Sequence, residues 1–423
     1  MPGERPRAPR GTFDVLPPEG ERRERLRALC AEVLTGAGYR YIETPVIEHT
    51  ELFVRGVGEA TDIVRKEMFT FADKGGRSLT LRPENTAGIC RAYVEHGMHK
   101  WPQPVRFWYW GPFFRHEAPQ AGRYRQFTQV GAEALGSDDP ALDAELILLL
   151  RDILERAGAR HLRLRLASLG SPATRAVYAE ELRRYLKQHE QLLAPEVRER
   201  IDKNPLRAFD SDHPGTRAVM AQAPRLLDRL DADDREHFAC VRALLDAVGV
   251  DYEVDPTLVR GLDYYTRTVF EFESQALGAQ RGVGGGGRYD RLIEELGGPP
   301  TAACGWAAGV ERILLAAGEA SASDRHVDVL VATVDAGRAA RALTLARELR
   351  SLGLRAELGD TRRALRRQLR HADRLGARAA VIVGDDLQLK RLDDGSQVAI
   401  AGAAEVAERL RAGDASQVGQ EAS

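Results

Sequence analysis

The chain has 423 residues, 43% of them hydrophobic, and a formal net charge of −2 from 61 Lys and Arg against 63 Asp and Glu. That length favours two or three domains, and the near-neutral balance excludes a chain that is basic throughout, so any nucleic-acid surface must be a local patch. Cys30, Cys90, Cys240 and Cys304 include no C-x-x-C spacing, which argues against a zinc or dithiol motif and suits a reducing cytosol; the start of the chain lacks the apolar run of a signal peptide, and no stretch reaches about 18 apolar residues, so neither secretion nor a membrane span is expected.

Residues 1–20 are rich in Pro and Gly and read as an extended entry. Leu26, Leu29, Cys30 and Val33 then recur at helical spacing, predicting a helix over 21–35 that Gly36 and Gly38 end. Residues 39–44 read as a strand stopped at Pro45. Leu81-Arg82-Pro83-Glu84-Asn85-Thr86 precedes a short helix, and the aromatic-rich segments 105–117 and 124–136 predict a long antiparallel hairpin. Between 171 and 250 the apolar spacing turns helical, which reads as an insertion between two halves of one sheet, with strand signal returning at 251–254 and 264–273. The glycine-rich run 282–287 reads as a loop, and 305–315 as the start of a helix. After a linker near 318–325, strands alternate with helices, predicting a small α/β domain with a largely parallel sheet over 326–412 and a frayed end over 413–423.

Alternation with period two puts Arg125, Phe127, Gln129 and Glu133 on one face of the second hairpin strand, and Phe113, Arg115 and Glu117 on one face of the first. Such a face offers cations for phosphate, a ring for a base, and Gln and Glu for a polar substrate; taken alone, it equally suits a solvated sheet face laced with ion pairs. Arg260 lies close to Tyr264 and Tyr265 in LVRGLDYYTRTVFEF, where it could fork onto a phosphate or carboxylate or simply sit on the surface. The run GVGGGGRYD lacks the lysine of a phosphate loop, although glycines without Cβ could let a small ligand lie against the backbone. In the last domain Arg362, Arg363, Arg366, Arg367 and Arg370, with Arg374 and Arg378 beyond, crowd one helix and its exit against the single acid Asp373; this is a candidate RNA-backbone contact or a solvated basic face.

Taken together and in order, the segments resemble the histidyl-tRNA synthetase family over nearly the whole chain. GYRYIETPVIEHTELFVRGVGE is similar to motif 1 of class II synthetases, GPFFRHEAPQAGRYRQFTQVGAE to motif 2 and AAGVERILL to motif 3, while LVRGLDYYTRTVFEF and GGGGRYD resemble the two histidine-specific motifs. The resemblance implies an α+β fold: a class II antiparallel-sheet catalytic core over 1–170 and 251–320, a helical insertion over 171–250, and a C-terminal α/β anticodon-binding domain over 326–412. It implies ATP-dependent ligation of L-histidine to tRNA(His) through histidyl-adenylate, in a cytoplasmic homodimer with Pro45 at the interface. ATP is then a substrate, with Mg²⁺ bridging its phosphates and no dedicated protein metal site. Carried over residue by residue, Arg115 and Arg260 would be catalytic at the α-phosphate. Phe127 would stack on adenine and Arg312 would cover its other face. Glu84, Thr86 and Gln129 would bind the ammonium of histidine, and Glu133 and Tyr265 its imidazole, with Tyr264, Arg123 and Arg125 lining the site.

Departures from the family pattern are Asn85, where Gly is usual, Ala167 before Ser168-Leu169-Gly170, where Asn is common, and a shorter hairpin near 385–395. A synthetase-like regulatory subunit of ATP phosphoribosyltransferase is the main rival; it normally lacks the last domain and degrades the catalytic arginines, whereas this chain keeps Arg115, Arg260 and Arg312.

Overall fold

The two long hairpin strands organise the first part of the chain. A computed structural model describes residues 5–58, 61–120, 122–202, 204–258, 261–278, 281–318 and 326–421, in two units, Met1–Ala320 and Ser321–Ser423. In the first unit Val105–Phe114 pairs antiparallel with Gln126–Leu135, placing Phe113 opposite Phe127, Gly111 opposite Gln129 and Phe107 opposite Glu133. The ladder is shorter than the sequence suggests, so Arg115 and Arg125 lie just past its end, still joined by a backbone hydrogen bond of 3.0 Å. The shared face is not solvated: Phe107, Tyr109, Phe113 and Glu133 are all buried.

The hairpin belongs to an eight-stranded sheet in the order Arg40–Tyr41, Val105–Phe114, Gln126–Leu135, Ala303–Gly309, Gly282–Arg288, Thr266–Ser274, Leu162–Ser168, Glu253–Val254. Only the two outermost pairings are parallel. Two expectations are corrected here. The glycine run is no loop but an inner strand, and 303–309 is strand before the helix Val310–Ala317 begins. Helix Pro140–Arg156, capped by Asp139 accepting from Ala141 N at 2.9 Å, covers one face with Leu146, Ile147, Leu150 and Ile153. Helix Glu19–Gly36 adds Leu26, Cys30 and Leu34 to that core. The strand expected over 39–44 is only Arg40–Tyr41, and Ile47–His49, Ser78–Leu81 and Phe69–Ala72 form a separate three-stranded sheet that the sequence reading missed.

The opposite core contains Tyr109, Tyr264, Tyr265 and Tyr289 together with Tyr178, Leu182, Leu186, Val197 and Met220 from the helical stretch. That stretch holds helices Pro172–Gln188, Pro195–Arg198, Pro214–Ala221 and Ala232–Ala247. Its last helix packs elsewhere: Phe238, Val241 and Leu245 join the core of helix Pro140–Arg156, because their spacing presents one apolar face to it.

The second unit has a five-stranded sheet in the order Ala356–Leu358, Val329–Thr333, Ala379–Val383, Leu387–Arg391, Gln397–Ile400. The first three strands are parallel and the last two form an antiparallel hairpin. Helix Ala403–Glu421 continues through most of the segment expected to fray, and it buries Val406, Ala407 and Leu410.

Candidate active site

Two cavities lie on the buried hairpin face. One, of about 170 Å³, is lined by Ile63, Glu84, Asn85, Thr86, Tyr109, Arg115, Gln129, Gly261, Leu262, Tyr264, Tyr265, Gly285, Trp306 and Ala307. The other, of about 250 Å³, is lined by residues including Arg115, Glu117, Arg123, Phe127, Gln129, Glu271, Gly284, Ala307 and Arg312. Arg115, Gln129 and Ala307 belong to both walls, so the cavities meet there.

In the smaller cavity Glu84 has a structural task of its own. Its carboxylate accepts from Thr86 N at 2.7 Å and Ala87 N at 3.0 Å, capping the helix Thr86–Glu95, and burial nevertheless pushes its pKa up. Thr86 Oγ1 donates to Glu133 Oε1 at 2.8 Å, and the Tyr289 hydroxyl donates to the other oxygen. Glu133 is fully buried behind these two groups, and burial raises its pKa to about 8 against the opposing pull of the two hydrogen bonds. The carbonyl oxygen of the Gln129 amide is buried without a hydrogen-bond partner among the described residues, and so is the Tyr109 hydroxyl. Two buried polar groups left unpaired beside an empty-sided pocket are what a polar ligand would satisfy. Asn85 sits at φ −115°, where a side chain costs no strain, and its Oδ1 accepts from Thr44 Oγ1 at 2.6 Å, while its Nδ2 is buried without a hydrogen-bond partner among the described residues.

Strand backbone forms the cavity floors. Gly284 lines the larger cavity and Gly285 the smaller. A Cβ built on Gly305 would fall on the Glu133 carboxylate, so the glycine leaves room for that side chain.

Arginines gather in the larger cavity. Arg115 Nε donates to Pro83 O at 3.0 Å and its guanidinium lies 5.3 Å from the Phe127 ring centre. Arg123 pairs with Glu117 at 3.3 Å, and Arg312 donates to Gly282 O. Burial and the neighbouring Arg123 push the Arg312 pKa down. Cations held against each other in a recess favour a polyanion, and Phe127 offers the flat face beside them. Arg125 lines neither cavity: its side chain lies over Gly11 and its Nε donates to Glu117 O at 3.4 Å, because it precedes the strand and turns off the ladder face. Arg260 lies outside the described residues.

The structure thus brings Glu84, Thr86, Arg115, Arg123, Phe127, Gln129, Tyr264, Tyr265 and Arg312 to two joined cavities, with Glu133 directly behind one. Sequence reading missed Tyr289 and Tyr109. Tyr289 stood inside the glycine motif without a role, and Tyr109 could have been found by strand parity, since it faces Gly131 on the same side as Glu133. In the second unit Arg362, Arg363, Arg366, Arg367 and Arg370 are all exposed on or just before helix Leu365–Arg374. Arg362 and Arg363 pair with Asp360, whereas Arg378 turns inward to Leu410 O. Among the described residues no three His, Cys, Asp or Glu side chains gather as a metal would require.

The fold has counterparts among solved structures. The crystal structure of apo histidyl-tRNA synthetase from S. aureus superposes with a TM-score of 0.80 at 33% identity, covering 96% of this chain and all of that one. An ATP phosphoribosyltransferase regulatory subunit/histidyl-tRNA synthetase from Bacillus halodurans shares the fold at 23% identity and a TM-score of 0.63, over 84% of this chain and 94% of its own. Histidine–tRNA ligases of Thermosynechococcus vestitus and Rubrobacter xylanophilus are 48% and 49% identical, over 93% and 90% of this chain and 94% and 92% of theirs. The histidyl-tRNA synthetase family profile matches residues 11–313 and an anticodon binding domain profile residues 328–413. The chain belongs to the histidyl-tRNA synthetase family.

Proposed function

We infer that the chain ligates L-histidine to tRNA(His) at the expense of ATP, forming histidyl-adenylate and pyrophosphate and then transferring histidine to the terminal ribose with release of AMP. The observation that carries this reading is the shared wall: an amino-acid-sized polar cavity and an arginine-lined cavity meet at Arg115 and Gln129. A carboxylate in the first and an α-phosphate in the second would be adjacent there. In the first step a carboxylate oxygen bonds to the α-phosphorus as the bond to the pyrophosphate oxygen breaks. Two anions must approach, so cations at the junction lower the barrier more than they aid binding.

Arg115 takes that position, with Arg260 as its partner by family resemblance. Phe127 stacks on adenine, with Arg312 across from it and Arg123 toward the phosphates; Arg125, packed over Gly11, supports the loop. Glu84, Thr86 and Gln129 receive the ammonium, while Glu133 and Tyr265 read the imidazole and Tyr264 completes the pocket. Mg²⁺ would be held chiefly by the phosphates, beside Glu117 and Glu271, two of the carboxylates that line that cavity, and it would neutralise the leaving pyrophosphate. We assign the catalytic core to 1–170 and 251–320, the insertion to 171–250 and the anticodon-binding domain to 326–412, with the exposed Arg362–Arg370 face on the tRNA backbone.

A homodimer fits the exposed Pro45 and the exposed apolar side chains Tyr41, on the edge strand Arg40–Tyr41, and Ile47 and Phe71, on the two outer strands of the three-stranded sheet. Among the described residues no helix is long and apolar enough to cross a membrane, and we place the enzyme in the cytosol. Histidine-dependent exchange of pyrophosphate into ATP, followed by charging of tRNA(His), tests the function. A protein of the regulatory-subunit type would show neither.

A further inference from the structure

The helical stretch after Ser171 reaches the histidine cavity through a small set of polar contacts. Arg175, on helix Pro172–Gln188, donates from Nη1 to Tyr265 O at 2.7 Å and from Nη2 to Asp263 O at 2.9 Å. Asn204 Nδ2 donates to Asp263 Oδ1 at 3.1 Å. These contacts fix the backbone of the segment whose Leu262, Tyr264 and Tyr265 line the cavity. A second set holds a different wall. Asp62 pairs with Arg200 at 3.2 Å and with Arg207 at 3.1 Å, one carboxylate oxygen each. The next residue, Ile63, lines the same cavity and opens the turn Ile63–Glu67, whose Glu67 O accepts from His116 N at 2.7 Å beside Arg115. The two walls are themselves joined where Asp263 N donates to Val57 O at 3.3 Å.

The donors make this arrangement more than packing. A planar guanidinium forked onto the carbonyls on either side of Tyr264 sets their direction as well as their distance, which an apolar contact cannot do. Arg175 is largely shielded from solvent, and burial lowers its pKa, so its charge is spent on the segment it grips. A side chain pocket that reads two imidazole nitrogens tolerates little displacement of its tyrosines. None of Arg175, Arg200, Arg207 and Asn204 lines the histidine cavity.

We propose that Arg175 and the Asp62–Arg200–Arg207 cluster are positioning residues through which the helical stretch sets the affinity of the histidine cavity. The proposal rests on the functional reading above, because it presumes that this cavity takes histidine. By linkage, histidine must then tighten the hold of the helical stretch on the core as much as that hold tightens histidine binding.

The test uses the full chain and pyrophosphate exchange. Arg175→Ala should raise the KM for histidine about ten-fold or more while the KM for ATP changes little, and Arg175→Lys should fall between the two because an ammonium cannot fork onto both carbonyls. Asp62→Asn, a half-exposed and nearly isosteric change, gives the same split should Arg175→Ala fold poorly. Limited trypsin cleavage within 195–217 should be slowed by histidine in the wild type and less so in both variants. Equal KM values for histidine in wild type and both variants overturn the proposal, as does an equal rise in both substrates' KM. Absence of any exchange in the wild type overturns the functional reading instead, and so distinguishes the two.

Discussion

Glu133 shows how much one buried carboxyl can carry. Its folded pKa, about 8, lies well above the roughly 4.3 of an unfolded glutamate, so the folded state holds a proton that the unfolded state gives up. The sign follows: ionising Glu133 opposes folding increasingly as pH rises from about 4 toward about 8. Glu133→Gln, which cannot ionise, should therefore gain Tm relative to the wild type between pH 6 and pH 8, read by thermal unfolding without ligand. The same carboxyl should give histidine binding an ionisation near pH 8, with affinity improving as the carboxylate forms and accepts an imidazole N–H, and Glu133→Gln should abolish that inflection. A Tm difference independent of pH would remove this account. Arg260 is argued from the motif that carries it. Arg260→Ala should slow single-turnover adenylate formation by a factor corresponding to about 3 kcal/mol or more while histidine binding falls far less, because its contact strengthens as charge develops at phosphorus. Near-normal turnover, or a defect in histidine binding alone, would leave it a binding residue. Most polar site residues were legible from strand parity and motif, since Phe127, Gln129 and Glu133 do share a face. Tyr289 was not, because its role depends on a strand pairing 156 positions away in sequence from Glu133.

Elements were harder to read where glycine dominates. Five glycines around Val283 have no hydrophobic period, so 282–287 reads as a loop in the sequence. The reason it is a strand lies in its neighbours: Gly285 faces Ala307 and Gly286 faces Trp306 in a sheet whose adjacent backbones leave no space for side chains. The stretch 303–309 hides its strand for a similar reason, since ACGWAAG is small at every position but Trp306, and Gly305 leaves room for Glu133. Gly305→Ala tests this directly. The added methyl collides with the Glu133 carboxylate, an overpacking that should cost about 1–3 kcal/mol in stability and raise the KM for histidine. If stability and KM both stay at wild-type values, Gly305 does not set the space for Glu133. By contrast, helix Glu19–Gly36 and the parallel strands of the second unit are readable, because helical apolar spacing and β-branched runs are local signals.

The chain divides into units whose boundary, near 320, the composition shift at 318–325 already marked. Each unit has its own sheet and core, and every residue assigned to adenylate formation precedes the boundary. A fragment ending near Ala322 should keep histidine-dependent pyrophosphate exchange and charge tRNA poorly. Charging equal to the full chain would show that the Arg362–Arg370 face is not needed for tRNA. Sedimentation should find a dimer at micromolar concentration, and a monomer there would refute the interface inferred from Tyr41, Ile47 and Phe71. The three-stranded sheet near that surface was not legible, because its strands are only three or four residues long and sit between turns.

The thinness of the partition between the two cavities has a consequence for inhibition. Arg115, Gln129 and Ala307 are common to both sides, so one molecule can occupy both recesses without crossing bulk solvent. Joining an imidazole-bearing amine to an adenosine through an uncharged, non-hydrolysable bridge makes the second half bind at an effective concentration set by the bridge, and such a compound should outbind either half by about 10²–10⁴. Competition against histidine and ATP together, rather than against one alone, would be its kinetic signature.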